Sequence, residues 1–285
     1  SHPCTLALIG FRFAIRAWRV ADCSGIARGG QMAYRLSPLS KGFGATVHGI
    51  DLRAEVAQSV VAQIKRDLLR HRLLVFKGQG RVSGERQIEI SRWFGELHST
   101  FAKHPRSPHP DVFRVSNDSN EGCTHVGRSG WHIDGTFLKE PFKVQTMHFW
   151  STVRGGNTMF APLKEVAQSL LEEERRSPRT STSLPWDRLW FASDRRERVV
   201  HPLLCRHPET GEQTMCFHLG SQFLDRLVLD FDKSRGTVGM ILGPQEERAV
   251  LAMLKRELED PKHNITVEWE EGDFALVDNL ALAHY

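Results

Sequence analysis

The amino-acid sequence predicts a mainly β protein with flanking helices, of the double-stranded β-helix or jelly-roll class. Three observations support this fold class. Short runs of β-branched and aromatic residues recur from residue 32 onward, amphipathic helices lie at the start of this region and around it, and no internal repeat interrupts it. A metal site is one expectation, because the mouth of such a barrel commonly holds a metal ion.

The predicted elements alternate between short strands and a few helices. Ala45 to Asp51 is a predicted strand, and a helix follows in which Val60, Ile64 and Leu68 recur every four residues. That helix leads to the strand Leu73 to Phe76. Further strands are predicted over 144–150, 199–204, 214–217, 265–269 and 274–277, and further helices around 90–97, 166–170 and 244–258. Residues 99–130 are predicted to form a long surface loop, and residues 172–182 an exposed, flexible lid candidate.

The overall composition is that of a folded protein with no nucleic-acid or membrane character. The chain has 285 residues, 25% of them charged, and its net charge of +4 includes no block of Lys and Arg that could follow a phosphate backbone. No apolar run approaches the roughly 18 residues of a membrane-spanning helix. The five cysteines form no CxxC pair, so a disulfide framework or structural zinc site is not expected, and a reducing, intracellular compartment is favoured.

The first 31 residues differ in composition from the rest of the chain. Four arginines and one acid lie among apolar residues between Ser1 and Gly30, which is typical of an organelle transit peptide. The alternative is an extraneous, disordered segment, because the domain pattern begins at Met32. The sequence therefore predicts a domain over 32–285, with a cytoplasmic location, or an organellar one if residues 1–31 are a transit peptide.

Two candidate metal ligands lie two residues apart. His132 carries an imidazole and Asp134 a carboxylate, and side chains i and i+2 of an extended chain point to the same face. Both can therefore bind one metal ion. A histidine on another strand would complete a facial triad of two histidines and one carboxylate, which leaves open positions on iron(II) for a co-substrate and oxygen. The spacing alone is a weak indication in a chain with 14 histidines and 34 acidic residues.

Several sequence blocks around this pair occur in a characteristic order. They are FGELH (94–98), WHIDGTF (131–137), GGNTMFA (155–161), VHPL with HPETG (200–203 and 207–211) and DNLALAHY (278–285). In order and spacing these blocks resemble the taurine and chlorophenoxyacetate dioxygenases, the TauD/TfdA-like oxygenases, over most of residues 32–285. The resemblance implies a clavaminate synthase-like jelly roll in which His132, Asp134 and His284 bind iron.

The resemblance also implies the cofactors and the reaction. Such enzymes use Fe(II) and the co-substrate 2-oxoglutarate, and they hydroxylate a small organic substrate with dioxygen, releasing succinate and CO2. Thr158 matches the family threonine that binds the distal carboxylate of 2-oxoglutarate, although a strand threonine after a Gly-Gly turn is the alternative interpretation. The protein would orient the substrate and exclude water while the metal performs the oxidation.

Two departures from the family pattern affect the co-substrate and the substrate. The family has arginines after the distal histidine, one of which pairs with 2-oxoglutarate, whereas this sequence stops at Tyr285, so we expect a fragment with an incomplete C-terminal end. Taurine-specific members have a second histidine where this chain has Thr100, and Arg128 replaces an asparagine. Taurine is therefore not expected as substrate. We expect Arg128, His98 and Thr100 to bind the substrate, and Arg128 favours an anionic one, although a solvated loop arginine is the ordinary alternative.

Two other functions remain open at the level of sequence. One is a non-oxidative jelly-roll metalloprotein, a zinc or manganese hydrolase or isomerase with the same three ligands. The other is a non-catalytic relative that lacks the co-substrate site. The block at 155–161 favours the oxygenase, because it has no evident role in a hydrolase. The expected partners are a small-molecule substrate and dioxygen, without nucleic acid or membrane, and self-association into a homo-oligomer is left open.

Overall fold

A computed structural model describes the backbone of Thr5–Arg12 and residues 33–98, 103–124, 130–153, 155–176, 185–193, 199–220 and 223–285. The described strands are β1 (Thr5–Arg12), β2 (Arg35–Pro38), β3 (Ala45–His48), β4 (Leu73–Phe76), β5 (Glu96–His98), β6 (Phe113–Ser116), β7 (Val144–Ser151), β8 (Thr158–Pro162), β9 (Leu189–Ser193), β10 (Val199–Pro202), β11 (Leu204–Arg206), β12 (Gln213–Met215), β13 (Leu224–Asp232), β14 (Thr237–Ile241), β15 (Ile265–Val267), β16 (Phe274–Asp278) and β17 (Leu282–His284). The helices are α1 (Gln58–His71), α2 (Gly84–Arg92), α3 (Leu163–Arg176) and α4 (Pro244–Glu259), with a 3-10 turn at Trp186–Arg188.

The largest sheet forms the centre of the molecule. Its strands follow the order β2-β3-β4-β16-β7-β1-β5, and β6 also pairs with β1. All of these pairs are antiparallel except β3 with β4. A smaller sheet has the order β15-β8-β17, and two further sheets consist of β10-β9-β13-β14 and β11-β12. This architecture of packed, mainly antiparallel sheets with a few helices agrees with the predicted jelly roll.

Strand β16 shows how the large sheet is covered on both faces. Ala275 and Val277 pack in one apolar cluster with β8, β15 and β17 of the smaller sheet. Phe274 and Leu276, which alternate with them, pack in a second cluster with α1 and α2. Successive side chains of a strand point to opposite faces, so a strand covered on both faces must be apolar throughout. This explains why β16 is a continuous apolar run.

Two of the described helices, α2 and α4, begin where the sequence provides capping groups. The Ser83 side chain accepts a hydrogen bond from the backbone N–H of Arg86 at the start of α2. Pro244 opens α4, and the Glu246 carboxylate accepts from the backbone N–H of Gly243 at 2.8 Å. Both arrangements satisfy N–H groups that have no partner within the helix. None of the helices in the described part of the chain has the length and apolar character needed to span a bilayer.

The described part of the N-terminal segment forms the paired strand β1, which the sequence did not predict. Residues 1–31 were expected to be a transit peptide or an extraneous disordered segment, yet Thr5–Arg12 pairs with β7 on one side and with β6 and β5 on the other. Composition could not reveal this strand, because its partners lie about 90 to 140 residues further along the chain, at the registers Gly10↔His98 and Ala7↔His148. Residues 1–4 and 13–32 lie outside the described residues, and the domain boundary at Met32 stays a prediction.

Other local predictions hold to different degrees. The turn at 207–211 joins β11 to β12 as a hairpin, as predicted. The long loop predicted from residue 99 contains β6, and the predicted lid begins inside the last turn of α3, after which its residues lie outside the described part. The hairpin of β13 and β14 was not predicted. All five residues of β14 are exposed, so its sequence lacks the apolar alternation that reveals a half-buried strand.

Candidate metal centre

The backbone brings the two predicted histidines opposite each other. The N–H of His132 donates to the carbonyl of His284 at 3.1 Å, and the N–H of His284 donates back to the carbonyl of His132 at 2.9 Å. On the other side, Ile133 donates to Phe217 and Leu219 donates to Trp131. The segment that carries His132 is therefore held between β17 and residues 217–219, and its register fixes the distance between the two imidazoles.

His132, Asp134 and His284 form one group whose potential ligand atoms all lie within 4.8 Å of one another. His132 Nε2 lies 3.5 Å from Asp134 Oδ1, and His284 Nε2 lies 3.6 Å from Asp134 Oδ2. His132 Nδ1 donates to the carbonyl of Gly130 at 2.7 Å, which leaves Nε2 as the nitrogen with a free lone pair. Two imidazole nitrogens and one carboxylate, brought together where the segment 132–134 bridges to β17, are a donor set that suits iron(II).

The electrostatics of the group favour the ligand forms of His284 and Asp134, whereas the pKa of His132 is raised, because hydrogen bonding and charge from Asp134 outweigh the effect of burial. Burial, together with the charge of His132, lowers the pKa of His284 to about 3, although the charge of Asp134 opposes this change. Burial alone would raise the pKa of Asp134, but hydrogen bonding and charge from His132, together with His284 and Gln145, hold that pKa well below its ordinary value. A neutral His284 and an ionised Asp134 are the ligand forms, since a metal competes with protons for its ligands. The Asp134 side chain is 19% exposed, so the group is accessible.

Asp134 is positioned by Asn279 in the turn between β16 and β17, by Gln145 on β7 and by the turn that follows it. Asn279 accepts from the Asp134 N–H at 2.8 Å and donates to the Asp134 carbonyl at 3.0 Å. The Gln145 amide donates to Asp134 Oδ2. Gly135 has a φ of 83° and a Cβ there would lie 2.8 Å from the backbone nitrogen of Phe142, so only glycine fits this turn.

Thr158 lies on the same face of the smaller sheet as His284. Phe160 pairs directly with His284, and Thr158 precedes Phe160 by two residues on β8. The Thr158 hydroxyl accepts a hydrogen bond from the indole N–H of Trp269 at 2.9 Å. A hydroxyl that accepts from an indole still has its own proton to donate. The position is consistent with the predicted contact to a carboxylate of 2-oxoglutarate, which stays a prediction.

The predicted substrate-binding residues are only partly described. His98 ends β5, and its ring centroid lies 5.8 Å from that of Phe142, whose carbonyl oxygen accepts from the Asn279 amide at 2.6 Å. His98 is therefore near the turn that positions Asp134, but it does not belong to the group of His132, Asp134 and His284. Thr100 and Arg128 lie outside the described residues.

Sequence reasoning missed several residues around the centre. The ring of His218 is stacked on His132 with centroids 4.4 Å apart, and its Nδ1 accepts from the backbone N–H of Gly220. Gln145 on β7 contacts Asp134, and Trp269, two residues after β15, contacts Thr158. No local spacing marks these three residues, because their partners are distant in sequence. Asn279 lay inside a matched block, DNLALAHY, but its contact with Asp134 required the fold.

Comparison with known proteins finds relatives over most of the chain. The family described as Taurine catabolism dioxygenase TauD, TfdA family matches residues 35–285. An alkylsulfatase from Acinetobacter baylyi is 28% identical over 273 residues, covering 88% of this chain and 79% of that protein. An alpha-ketoglutarate-dependent sulfate ester dioxygenase from Pseudomonas putida is 24% identical over 275 residues, covering 87% and 82%. The crystal structure of a taurine dioxygenase from Burkholderia xenovorans matches with a TM-score of 0.66 at 28% identity, covering 88% and 83%.

Proposed function

We propose that this chain, which belongs to the taurine catabolism dioxygenase TauD, TfdA family, hydroxylates a small anionic organic compound at an iron site formed by His132, Asp134 and His284. Family membership makes the chain an Fe(II)- and 2-oxoglutarate-dependent dioxygenase, an oxidoreductase with a jelly-roll fold. The assignment of the iron site rests on one observation, the convergence of two imidazoles and a carboxylate within 4.8 Å. The family match favours the oxygenase over a hydrolase or a non-catalytic relative.

Each residue of the site has a defined task in this proposal. Fe(II) with bound 2-oxoglutarate supplies the oxidation of a substrate C–H bond, with release of succinate and CO2. His132 and His284 would provide Nε2 lone pairs to the iron, and Asp134 would provide a carboxylate oxygen. The Gly130 carbonyl fixes the tautomer of His132. Thr158 would donate its hydroxyl proton to the distal carboxylate of 2-oxoglutarate, oriented by the indole of Trp269.

The anionic character of the substrate is supported by the relatives and by the sequence. One relative carries the description alkylsulfatase and another sulfate ester dioxygenase, and both names describe substrates with a sulfate group. Arg128, His98 and Thr100 are the residues that we expect to contact the substrate. An intracellular location and self-association of the chain also remain predictions from the sequence.

Anaerobic reconstitution tests the proposed site directly. Full-length chain is mixed with Fe(II) and then with 2-oxoglutarate in the absence of oxygen, and the visible charge-transfer absorption of the chelate is recorded. We expect the absorption to appear only when both are present. Oxygen is then admitted with a medium-chain alkyl sulfate, taurine or a chlorophenoxyacetate, and substrate-dependent succinate is measured. Absence of both the chelate absorption and succinate would reject the proposal.

Asp134→Ala provides the matched variant for this experiment. We expect it to lose the chelate absorption and to reduce turnover at least about a hundredfold. Asp134 is one of the three proposed ligands, and even the residues that orient a metal ligand typically contribute about ten- to a hundredfold. Its circular dichroism should stay that of the wild type. Asp225→Ala, which removes a half-exposed carboxylate on β13, is the control and should retain activity. Full turnover in Asp134→Ala would remove this residue from the iron site.

A further inference from the structure

Gln145 is a polar residue at a position that the fold reserves for apolar side chains. It lies on β7 with Met147 and Phe149, and alternate residues of a strand share one face. Met147 and Phe149 pack in the apolar cluster between the large sheet and the smaller one. The intervening Thr146 points to the other face, where it contacts Gln87 and Ser91 of α2. Gln145 therefore points into the interior between the two sheets, and only 2% of it is exposed.

The amide of Gln145 is only half satisfied by the protein. Its nitrogen donates to Asp134 Oδ2, whereas its carbonyl oxygen is buried and has no hydrogen-bond partner among the described residues. A buried acceptor without a partner destabilises a fold by about 1–3 kcal/mol, and an apolar side chain of similar size would avoid that loss. The stability of the apoprotein therefore does not account for a glutamine here. Its contact with Asp134 does offer a reason.

We propose that Gln145 is a positioning residue that holds one oxygen of Asp134 by a hydrogen bond and so leaves Oδ1 as the oxygen that faces the metal. The inference rests on the proposed iron site. The two oxygens of the Asp134 carboxylate have different neighbours. Oδ2 accepts from the Gln145 amide and lies 3.6 Å from His284 Nε2, while Oδ1 lies 3.5 Å from His132 Nε2. A carboxylate held in this way would present Oδ1 to the metal ion in a fixed orientation.

Apolar variants of Gln145 allow its effect on metal binding to be measured separately from its effect on folding. Gln145→Met keeps the length of the side chain and removes its donor, and Gln145→Leu is a second, shorter variant in case the first does not fold. Co(II) is titrated into each apoprotein, and its visible d–d absorption gives both the affinity and the coordination geometry. We expect a ten- to hundredfold weaker affinity and a changed band intensity in the Gln145 variants, as for other partners of metal ligands. Their unfolding free energy without metal should equal or exceed that of the wild type.

Gln87→Met is the matched control, because Gln87 is a fully buried glutamine that donates to Thr146, the neighbour of Gln145 on the opposite face of β7. This control should bind Co(II) like the wild type. If the wild type binds no Co(II), the proposed iron site itself fails. If the wild type binds and the Gln145 variants have the same affinity and spectrum, the inference is overturned. Weaker binding that accompanies a loss of apoprotein stability, or that also occurs in Gln87→Met, would overturn it as well.

Discussion

At the scale of single residues, the hydrogen bond from Trp269 orients the hydroxyl of Thr158, the residue that we propose contacts 2-oxoglutarate. The indole can only donate, so it fixes the lone pairs of the Thr158 hydroxyl and leaves the hydroxyl proton for another acceptor. The indole itself is held by stacking on Phe149, with ring centroids 4.0 Å apart. The orientation of the hydroxyl is thus set by the packed interior.

This arrangement predicts graded losses of affinity for 2-oxoglutarate. Thr158→Val should weaken binding roughly ten- to a hundredfold, because a hydrogen bond to a charged group contributes about 1.5–3 kcal/mol. Trp269→Phe keeps an aromatic ring but removes the donor, so we expect a smaller loss of about two- to tenfold. Calorimetric titration of 2-oxoglutarate into the Fe(II)-loaded protein without oxygen measures both. Trp190→Phe on β9 is the control, and equal affinities in all four proteins would contradict the role of Thr158.

His148 provides a pH-dependent contribution to stability at a place that does not touch the metal group. Its ring is fully buried, with Nε2 donating to the carbonyl of Gly80 at 2.9 Å and Nδ1 accepting from the indole of Trp150. Protonation would place a second N–H against the Trp150 donor. Burial accordingly lowers the pKa of His148 from 6.5 to about 4, although the bond to Gly80 opposes this change.

The lowered pKa of His148 determines the direction in which stability changes with pH. Between about pH 6.5 and 4 the unfolded chain binds a proton at His148 and the folded chain does not, so stability is present above this window and is lost as the pH falls through it. The loss is on the order of 3 kcal/mol. Urea unfolding of wild type and His148→Leu at pH 7.5 and 4.5 measures it, with the surface variant His104→Leu as control. The same pH dependence in His148→Leu would show that other groups are responsible.

At the scale of elements, the turn between β16 and β17 connects Asp134 to His284. Asn279 in this turn is fully buried and bonds to the backbone N–H and carbonyl of Asp134 and to the carbonyl of Phe142. His284 follows five residues later on β17. This turn, which leads from the large sheet to the smaller one, thus fixes the position of the Asp134 backbone relative to His284.

Removal of the Asn279 side chain should therefore affect both stability and metal binding. Asn279→Ala leaves three buried backbone groups without their partner, and we expect the unfolding free energy to fall by about 3 kcal/mol or more. Co(II) affinity should fall as well. Asn264→Ala, which removes an amide that bonds to two carbonyls at the end of α4, is the control and should lose stability only. Urea unfolding and Co(II) titration decide this, and unchanged Co(II) binding in Asn279→Ala would contradict the linkage.

The same elements show what the sequence could and could not predict. The strand at β16 was predictable because burial on both faces makes it a continuous apolar run, and the hairpin of β11 and β12 because its turn residues are distinctive. The members of the metal group were predictable from the spacing of His132 and Asp134 and from the resemblance that added His284. The role of Gln145 was not predictable, because only the folded structure shows that its side chain contacts Asp134.

At the scale of the whole molecule, β1 makes the large sheet continuous. It lies between β7 on one side and β5 and β6 on the other, so it is an interior strand with both edges paired. Without it, β7 would present an unpaired edge, and such edges favour aggregation. The transit-peptide interpretation and this topology therefore make opposite predictions about the first residues of the chain.

Hydrogen exchange and one proline substitution distinguish these two interpretations. The amides of Thr5–Arg12 should be protected to a degree comparable with those of β7, because both strands are paired on two sides. Ala7 pairs with His148 on β7 and with Arg114 on β6, so Ala7→Pro removes a ladder donor inside the sheet. We expect Ala7→Pro to lower the unfolding free energy by about 2–3 kcal/mol, whereas Ala7→Ser, which keeps the backbone N–H, should have a much smaller effect. Rapid exchange of these amides together with an unchanged stability of Ala7→Pro would mean that the N-terminal segment contributes nothing to the sheet and that the fold begins near Met32.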